Sequence, residues 1–128
     1  MHDSEIIQCL TDMTGFTVEK LPAELEYRAT DGPLLKIYIE ADPELISLWC
    51  MLPTPVNVPL AETLLRINCT WRDPSCSWLY HDPEHGSPIL VCALPQEETS
   101  AREFLASAPL FFKACSSMHD TLSRAGHG

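Results

Sequence analysis

The sequence predicts an α+β fold with element order α-β-β-β-α-β-β-α, a twisted, mainly antiparallel sheet packed by helices. Two observations carry that prediction. Three β-rich runs, at 24–29, 34–41 and 45–52, follow one another with only short turns between them. Parallel crossovers need a dozen or more residues, so this spacing argues for an antiparallel meander. Apolar stripes of helical period open and close the chain, at 3–14 and from about 99 to 124.

The first stripe is Ile6, Leu10 and Met13, widened by Ile7 and Cys9. Asp3 or Ser4 can cap its start, and Gly15 is a natural stop. The first strand alternates charged and apolar residues, as a half-buried strand does. Thr30-Asp31-Gly32-Pro33 and Ala41-Asp42-Pro43-Glu44 are turns by composition. Asn57 and Pro59 suit a second helix start, with Leu60, Leu64 and Ile67 at helical spacing. Two further strands, 77–81 and 88–94, flank the turn-rich loop from His81 to Gly86. The last helix opens at Thr99 or Ser100. Its stripe is Phe104, Ala108, Phe111, Cys115, Met118 and Leu122. Pro109 interrupts it, which predicts a kink or a restart, and Gly126 should end it.

The chain has 128 residues, fitting one domain over 1–128. Forty-five per cent are apolar, which excludes wholesale disorder. The net charge is −10, from 18 acidic and 8 basic residues. Lys and Arg are the residues phosphate binding runs on, so neither nucleic acid nor an anionic membrane surface is an expected partner. The beginning, Met1-His2-Asp3-Ser4-Glu5, is acidic where a signal peptide needs positive charge. The uncharged run from Leu45 to Ala61 contains Pro53, Pro55 and Pro59 and cannot be one spanning helix. A cytoplasmic protein is therefore expected.

The six cysteines have wide, irregular spacings and no C-x-x-C. A disulfide framework, a thiol redox motif and a zinc ribbon are all disfavoured. Cys9, Cys50, Cys92 and Cys115 sit in apolar-periodic segments and read as small hydrophobes. His81, Asp82, Glu84 and His85 are metal-ligand types, but too close together around Pro83 to close a tetrahedral site unaided; a solvated turn fits them better. No P-loop, dinucleotide fingerprint or nucleophile elbow is present, and no cofactor is expected. A small Cys- or metal-dependent hydrolase, using Cys69 or Cys76, is the alternative function.

The strands are more apolar than a sheet with one wet face requires. In 45–52, one parity is Ile46, Leu48, Cys50 and Leu52; the other is Leu45, Trp49 and Met51. Either helices cover both faces, or one face is an apolar patch for a partner. A one-residue slip would exchange the two parities, so which one faces out is open. Trp71, Trp78 and Tyr80 form a second aromatic group, either a core anchor or a subunit interface.

Several stretches resemble the class I type III secretion chaperones of Gram-negative bacteria, the Tir-chaperone-like family. Leu60-Ala61-Glu62-Thr63-Leu64-Leu65-Arg66-Ile67-Asn68 is similar to its "L-L-x-x-N" helix end. Pro88-Ile89-Leu90-Val91-Cys92-Ala93-Leu94-Pro95 looks like its penultimate strand closing in "L-P". Phe104-Leu105 and Phe111-Phe112-Lys113-Ala114 match its terminal helix. The chain departs from the pattern at Ala114-Cys115, where relatives often carry Ala-Trp, and in the Cys- and Pro-containing segment 69–76.

The resemblance implies a secretion-chaperone-like fold and a homodimer without enzymatic activity. It implies binding of one secreted effector, whose N-terminal region lies extended over apolar grooves, with strand addition to a sheet edge as one element. Client genes usually lie beside such chaperone genes. Mapped here, Tyr38, Leu45, Trp49 and Met51 would line an effector groove, with Ile6 or Leu10 at its rim. Leu60, Leu64, Ile67, Trp71, Trp78 and Tyr80 would form the dimer interface.

Overall fold

The structure is a computed structural model and describes residues 1–28, 32–52, 78–81 and 87–127. Its elements are α1 (Asp3–Thr14), β1 (Ala23–Tyr27), β2 (Leu35–Ala41), β3 (Leu45–Met51), β4 (Trp78–His81), β5 (Pro88–Pro95) and α2 (Ala101–His127). The five strands form one sheet in the order β1-β2-β3-β5-β4, antiparallel at every pairing. The expected helix at 60–68, with Leu60, Leu64 and Ile67, lies outside the described residues, as do Cys69, Trp71, Cys76 and 82–86 of the His-rich loop.

Each strand sorts its side chains by parity. Leu35, Ile37 and Ile39 of β2 are buried, and so are Ile46, Leu48 and Cys50 of β3. Register places Ile37 beside Cys50 and Ile39 beside Leu48; Leu48 in turn faces Cys92 of β5, and Cys50 faces Leu90. Ile6, Cys9 and Leu10 of α1 and the stripe of α2 join these residues in one core cluster. The α2 stripe is the one its periodicity gives: Phe104, Ala108, Phe111, Cys115, Met118 and Leu122 are all buried.

Three local expectations are corrected. The α1 cap is His2, whose backbone N–H is accepted by Glu5 Oε1 at 3.1 Å, and not Asp3 or Ser4. A Glu three residues after the cap satisfies an otherwise orphaned donor and decides the boundary. Helix α2 does not restart at Pro109. Pro costs roughly 3 kcal/mol inside a helix. The buried stripe continues on both sides of it, from Phe104 and Ala108 to Phe111 and Cys115, and outweighs that cost. The helix also runs one residue past Gly126. Glycine costs only about 1 kcal/mol in a helix, and little helix remains there to lose.

At the other end of α2, Ser100 completes a capping box. Its Oγ accepts the Glu103 N–H at 3.1 Å, while Glu103 Oε1 accepts the Ser100 N–H at 3.3 Å. The start of α1 is tied to the end of β5 by Gln96 Nε2, which donates to the Met1 carbonyl at 2.8 Å and to Asp3 Oδ1 at 3.3 Å.

The β2–β3 turn is organised by Asp42. Its Oδ1 accepts the N–H groups of Leu45 at 2.7 Å and Glu44 at 2.8 Å. These bonds, Leu45 first, hold the carboxyl below its ordinary value. A depressed carboxylate stabilises the fold above its unfolded value of about 4 and loses that contribution as pH falls through the folded value. Asp42→Asn keeps an acceptor but cannot titrate. Urea unfolding between pH 2.5 and 6 should therefore show a shallower acid loss of stability in this variant than in the parent. In the core, Phe111→Ala should cost about 3–5 kcal/mol by chemical denaturation.

Candidate functional site

Two surfaces remain after the core is filled. The first is built by the end of α1, the segment that follows it, and the free edge of β1. Gly15 ends α1 in the left-handed region at φ 76°, and its N–H bonds to the Thr11 carbonyl at 2.9 Å. This is a helix stop that glycine adopts without steric cost. The chain beyond is held by two threonines of α1. Thr14 Oγ1 accepts the Phe16 N–H at 3.2 Å, and Thr11 Oγ1 accepts the Val18 N–H at 3.1 Å. Val18 is thereby packed against the core, while Phe16 stands 77% exposed.

Opposite this segment lies β1, which among the described residues pairs with β2 on one side only. Between them is a groove of about 820 Å³. All five residues of β1 line it, from both faces of the strand, together with Phe16, Val18 and Phe112. A strand contributes both of its faces to one wall when the wall is its backbone edge. The edge of a strand carries a row of N–H and C=O groups open to another chain. Tyr27 and Phe112, with ring centroids 5.6 Å apart, join β1 to α2 at this groove.

The second surface is the sheet face turned away from the core. Tyr38 and Trp49 are cross-strand partners there and stack, with ring centroids 4.3 Å apart at 17°. Leu45 is 40% exposed, and Trp49 and Met51 are half-buried. The odd-numbered parity of β3 is thus the outer one. Ile6 and Leu10, expected at the rim of this groove, are instead fully buried in the core. The stripe of α1 is narrow, and packing against α2 uses both residues. In register, Trp78 lies opposite Val91, which lies opposite Trp49; Tyr80 lies opposite Ile89, which lies opposite Met51. Two of the residues assigned to a dimer interface therefore share sheet rows with two assigned to effector binding.

The four described cysteines, Cys9, Cys50, Cys92 and Cys115, are buried and unbridged. Burial first, then the carboxylates of Asp12 and Glu5, push the Cys9 thiol up, away from the thiolate a nucleophile needs. Among the described residues, no three His, Cys, Asp or Glu side chains come together as a metal site. No helix among them is long and apolar enough to cross a membrane.

The groove at β1 was missed by sequence reasoning, which assigned nothing to 16–22. The available signal was Phe16 directly after the Gly15 helix stop: a large apolar residue with no periodic partner.

This architecture is that of type III secretion chaperones. The chain is similar to the Yersinia pestis type III secretion chaperone SycH in complex with a stable fragment of YscM2, with a TM-score of 0.64 at 12% identity, over 96% of this chain and 100% of the other. It is also similar to the heterodimeric ExoU–SpcU complex from the type III secretion system of Pseudomonas aeruginosa, with a TM-score of 0.60 at 18% identity, over 98% and 97% of the chains. The HopA1–SchA chaperone–effector complex matches with a TM-score of 0.60 at 13% identity, over 94% and 98%. At these identities the likeness is one of fold. No curated protein sequence matches the chain. Residues 33–117 match the family model described as Tir chaperone protein (CesT) family, and the chain belongs to that family. The Tyr38–Trp49 face lies inside the matched segment. Of the β1 groove, only the α2 wall does.

Two substitutions separate the parts of the groove. Gly15→Ala should cost about 1–2 kcal/mol, because an alanine there is held in the left-handed region. Phe16→Ser should leave stability within about 0.5 kcal/mol of the parent, since the ring is mostly in water. Thermal and urea unfolding of the two variants check both.

Proposed function

We propose that the chain is a cytoplasmic bacterial type III secretion chaperone. It acts as a homodimer without catalysing a reaction. It binds the N-terminal region of one secreted effector in extended form and keeps it soluble and competent for export. The observation that carries this reading is the β1 groove. It pairs a backbone edge that has no strand partner among the described residues with an apolar floor, which is what an extended segment needs to be held by main-chain hydrogen bonds and alternate side-chain pockets. A segment held this way cannot complete its own fold. Ordering it costs free energy, so the interface must be large.

The outer sheet face supports a longer path for the same client. Tyr38, Leu45, Trp49 and Met51 present the aromatic and Met-rich contact area that binding surfaces favour. The dimer contact is assigned to Leu60, Leu64, Ile67, Trp71, Trp78 and Tyr80. Backbone register supports a seam near the client path, because Trp78 and Tyr80 share sheet rows with Trp49 and Met51.

The test is co-expression with the product of the adjacent reading frame. The chain should elute as a dimer by light scattering and hold that product in the soluble fraction. Trp49→Asp and Phe16→Asp should each weaken client capture at least tenfold, while melting curves and circular dichroism stay near the parent's. Loss of capture with Trp49→Asp but not with Phe16→Asp would remove the β1 groove from the client path. Full capture by both variants would overturn the assignment of both surfaces.

A further inference from the structure

The alternation along β1 specifies more than a strand-shaped ligand. Ala23, Leu25 and Tyr27 turn inward, against the core and the groove floor. Glu24 and Glu26 turn outward and are exposed. On the β2 side, Glu26 lies opposite Lys36 and Glu24 opposite Tyr38. The Lys36 ammonium reaches diagonally to Glu24 Oε1 at 3.4 Å. Among the described residues, Lys36 thus pairs with Glu24, and Glu26 has no ion pair. The groove wall beyond adds Glu19, with Lys20 beside it. Its charged residues are three acids and one base.

A strand laid on the free edge of β1 sets its side chains directly opposite these residues. Side chains paired across strands lie about 4.5–5.5 Å apart at Cβ, opposite charges there attract, and like charges repel. Residues facing Ala23, Leu25 and Tyr27 enter the apolar groove; those facing Glu24 and Glu26 stand beside carboxylates. We infer that the β1 groove selects extended segments that alternate aliphatic and basic side chains, with two Lys or Arg flanked by Val, Ile or Leu over five residues. This rests on the groove reading of the function and adds to it the chemistry of the segment bound. The net charge of −10 favours cationic partners in general, but only the two-residue period of β1 demands that apolar and basic residues alternate.

The test uses the full chain and short blocked peptides, read by fluorescence anisotropy. Three share the same Val and Ile positions and carry Lys, Ser or Glu between them. A fourth has the Lys composition with its apolar residues clustered. A fifth carries Pro at two successive central positions of the Lys peptide, removing a ladder donor whichever way the strand faces. The alternating Lys peptide should bind about tenfold more tightly than the Glu peptide, with Ser between. Raising salt from 50 to 300 mM should narrow that gap, because exposed pairs are screened. Glu24→Gln/Glu26→Gln should abolish the ranking without disturbing the fold, and Glu24→Lys/Glu26→Lys should invert it. The clustered and Pro peptides should bind weakly. Equal binding of the Lys, Ser and Glu peptides, with the Pro peptide still excluded, overturns the charge selectivity and leaves the groove reading in place. Clustered and alternating Lys peptides binding alike overturns the alternation and reduces the effect to net charge. Undiminished binding of the Pro peptide, or no binding by any peptide, overturns the groove reading together with the inference.

Discussion

The seating of α2 on the sheet is the contact on which the other features depend. Its stripe from Phe104 to Leu122 meets one face of β2, β3 and β5, and α1 fills the remaining flank with Ile6, Cys9 and Leu10. Because the described helices share a single core cluster, they cover one face of the sheet and not the face that carries Tyr38 and Trp49. From a neighbouring position on the same helix, Phe112 lines the β1 groove. Pro109, with Leu105 and Leu110 exposed near it, lies off the buried stripe, so the proline is tolerated in the helix. The same proline lines the groove.

An open strand edge is a hazard as well as a binding device. Edge strands are blunted by short length, charge or proline, since a long flat apolar edge recruits other copies of the chain. Strand β1 has five residues, two of them glutamates, and Pro22 precedes it. These features discourage self-pairing, because a second acidic β1 would set carboxylate against carboxylate. They do not discourage a segment of opposite character. The −10 charge of the whole chain works in the same direction: it opposes self-association of a protein that leaves Phe16, Leu34 and Leu45 in water.

Period was the most legible quantity in the sequence. The helical stripe of α2 follows directly from where apolar residues recur, and burial matches it residue by residue. Boundaries set by side-chain chemistry were less legible: the Glu5 to His2 bond decides the α1 cap, and two candidate acceptors beside it are equally good by composition. Parity alone could not say which side of β3 faces the core, since a strand greasy on both faces has two consistent solutions. Pairing with β5 resolves it, setting Leu48 and Cys50 against Cys92 and Leu90. The β1 groove was illegible for a different reason. It joins the stretch 13–27 to Pro109 and Phe112, far away in the chain, and its wall is main chain, which carries no sequence signal.

The two exposed surfaces differ in what they can recognise. The outer sheet face offers side chains only: a stacked Tyr38–Trp49 pair, Met51 and Leu45. Flat aromatic and thioether area binds apolar groups of many shapes, so a partner on this face would be held with little discrimination. The β1 edge offers main-chain donors and acceptors at fixed spacing, with side chains alternating in character. Hydrogen-bond spacing enforces an extended conformation, and the alternation enforces a register, since a slip of one residue would bury charge in the groove and set apolar groups beside Glu24 and Glu26. A client engaged at both would be oriented by the edge and held by the face. Specificity then resides in a five-residue strand, and the larger apolar surface can vary without changing which segment is chosen.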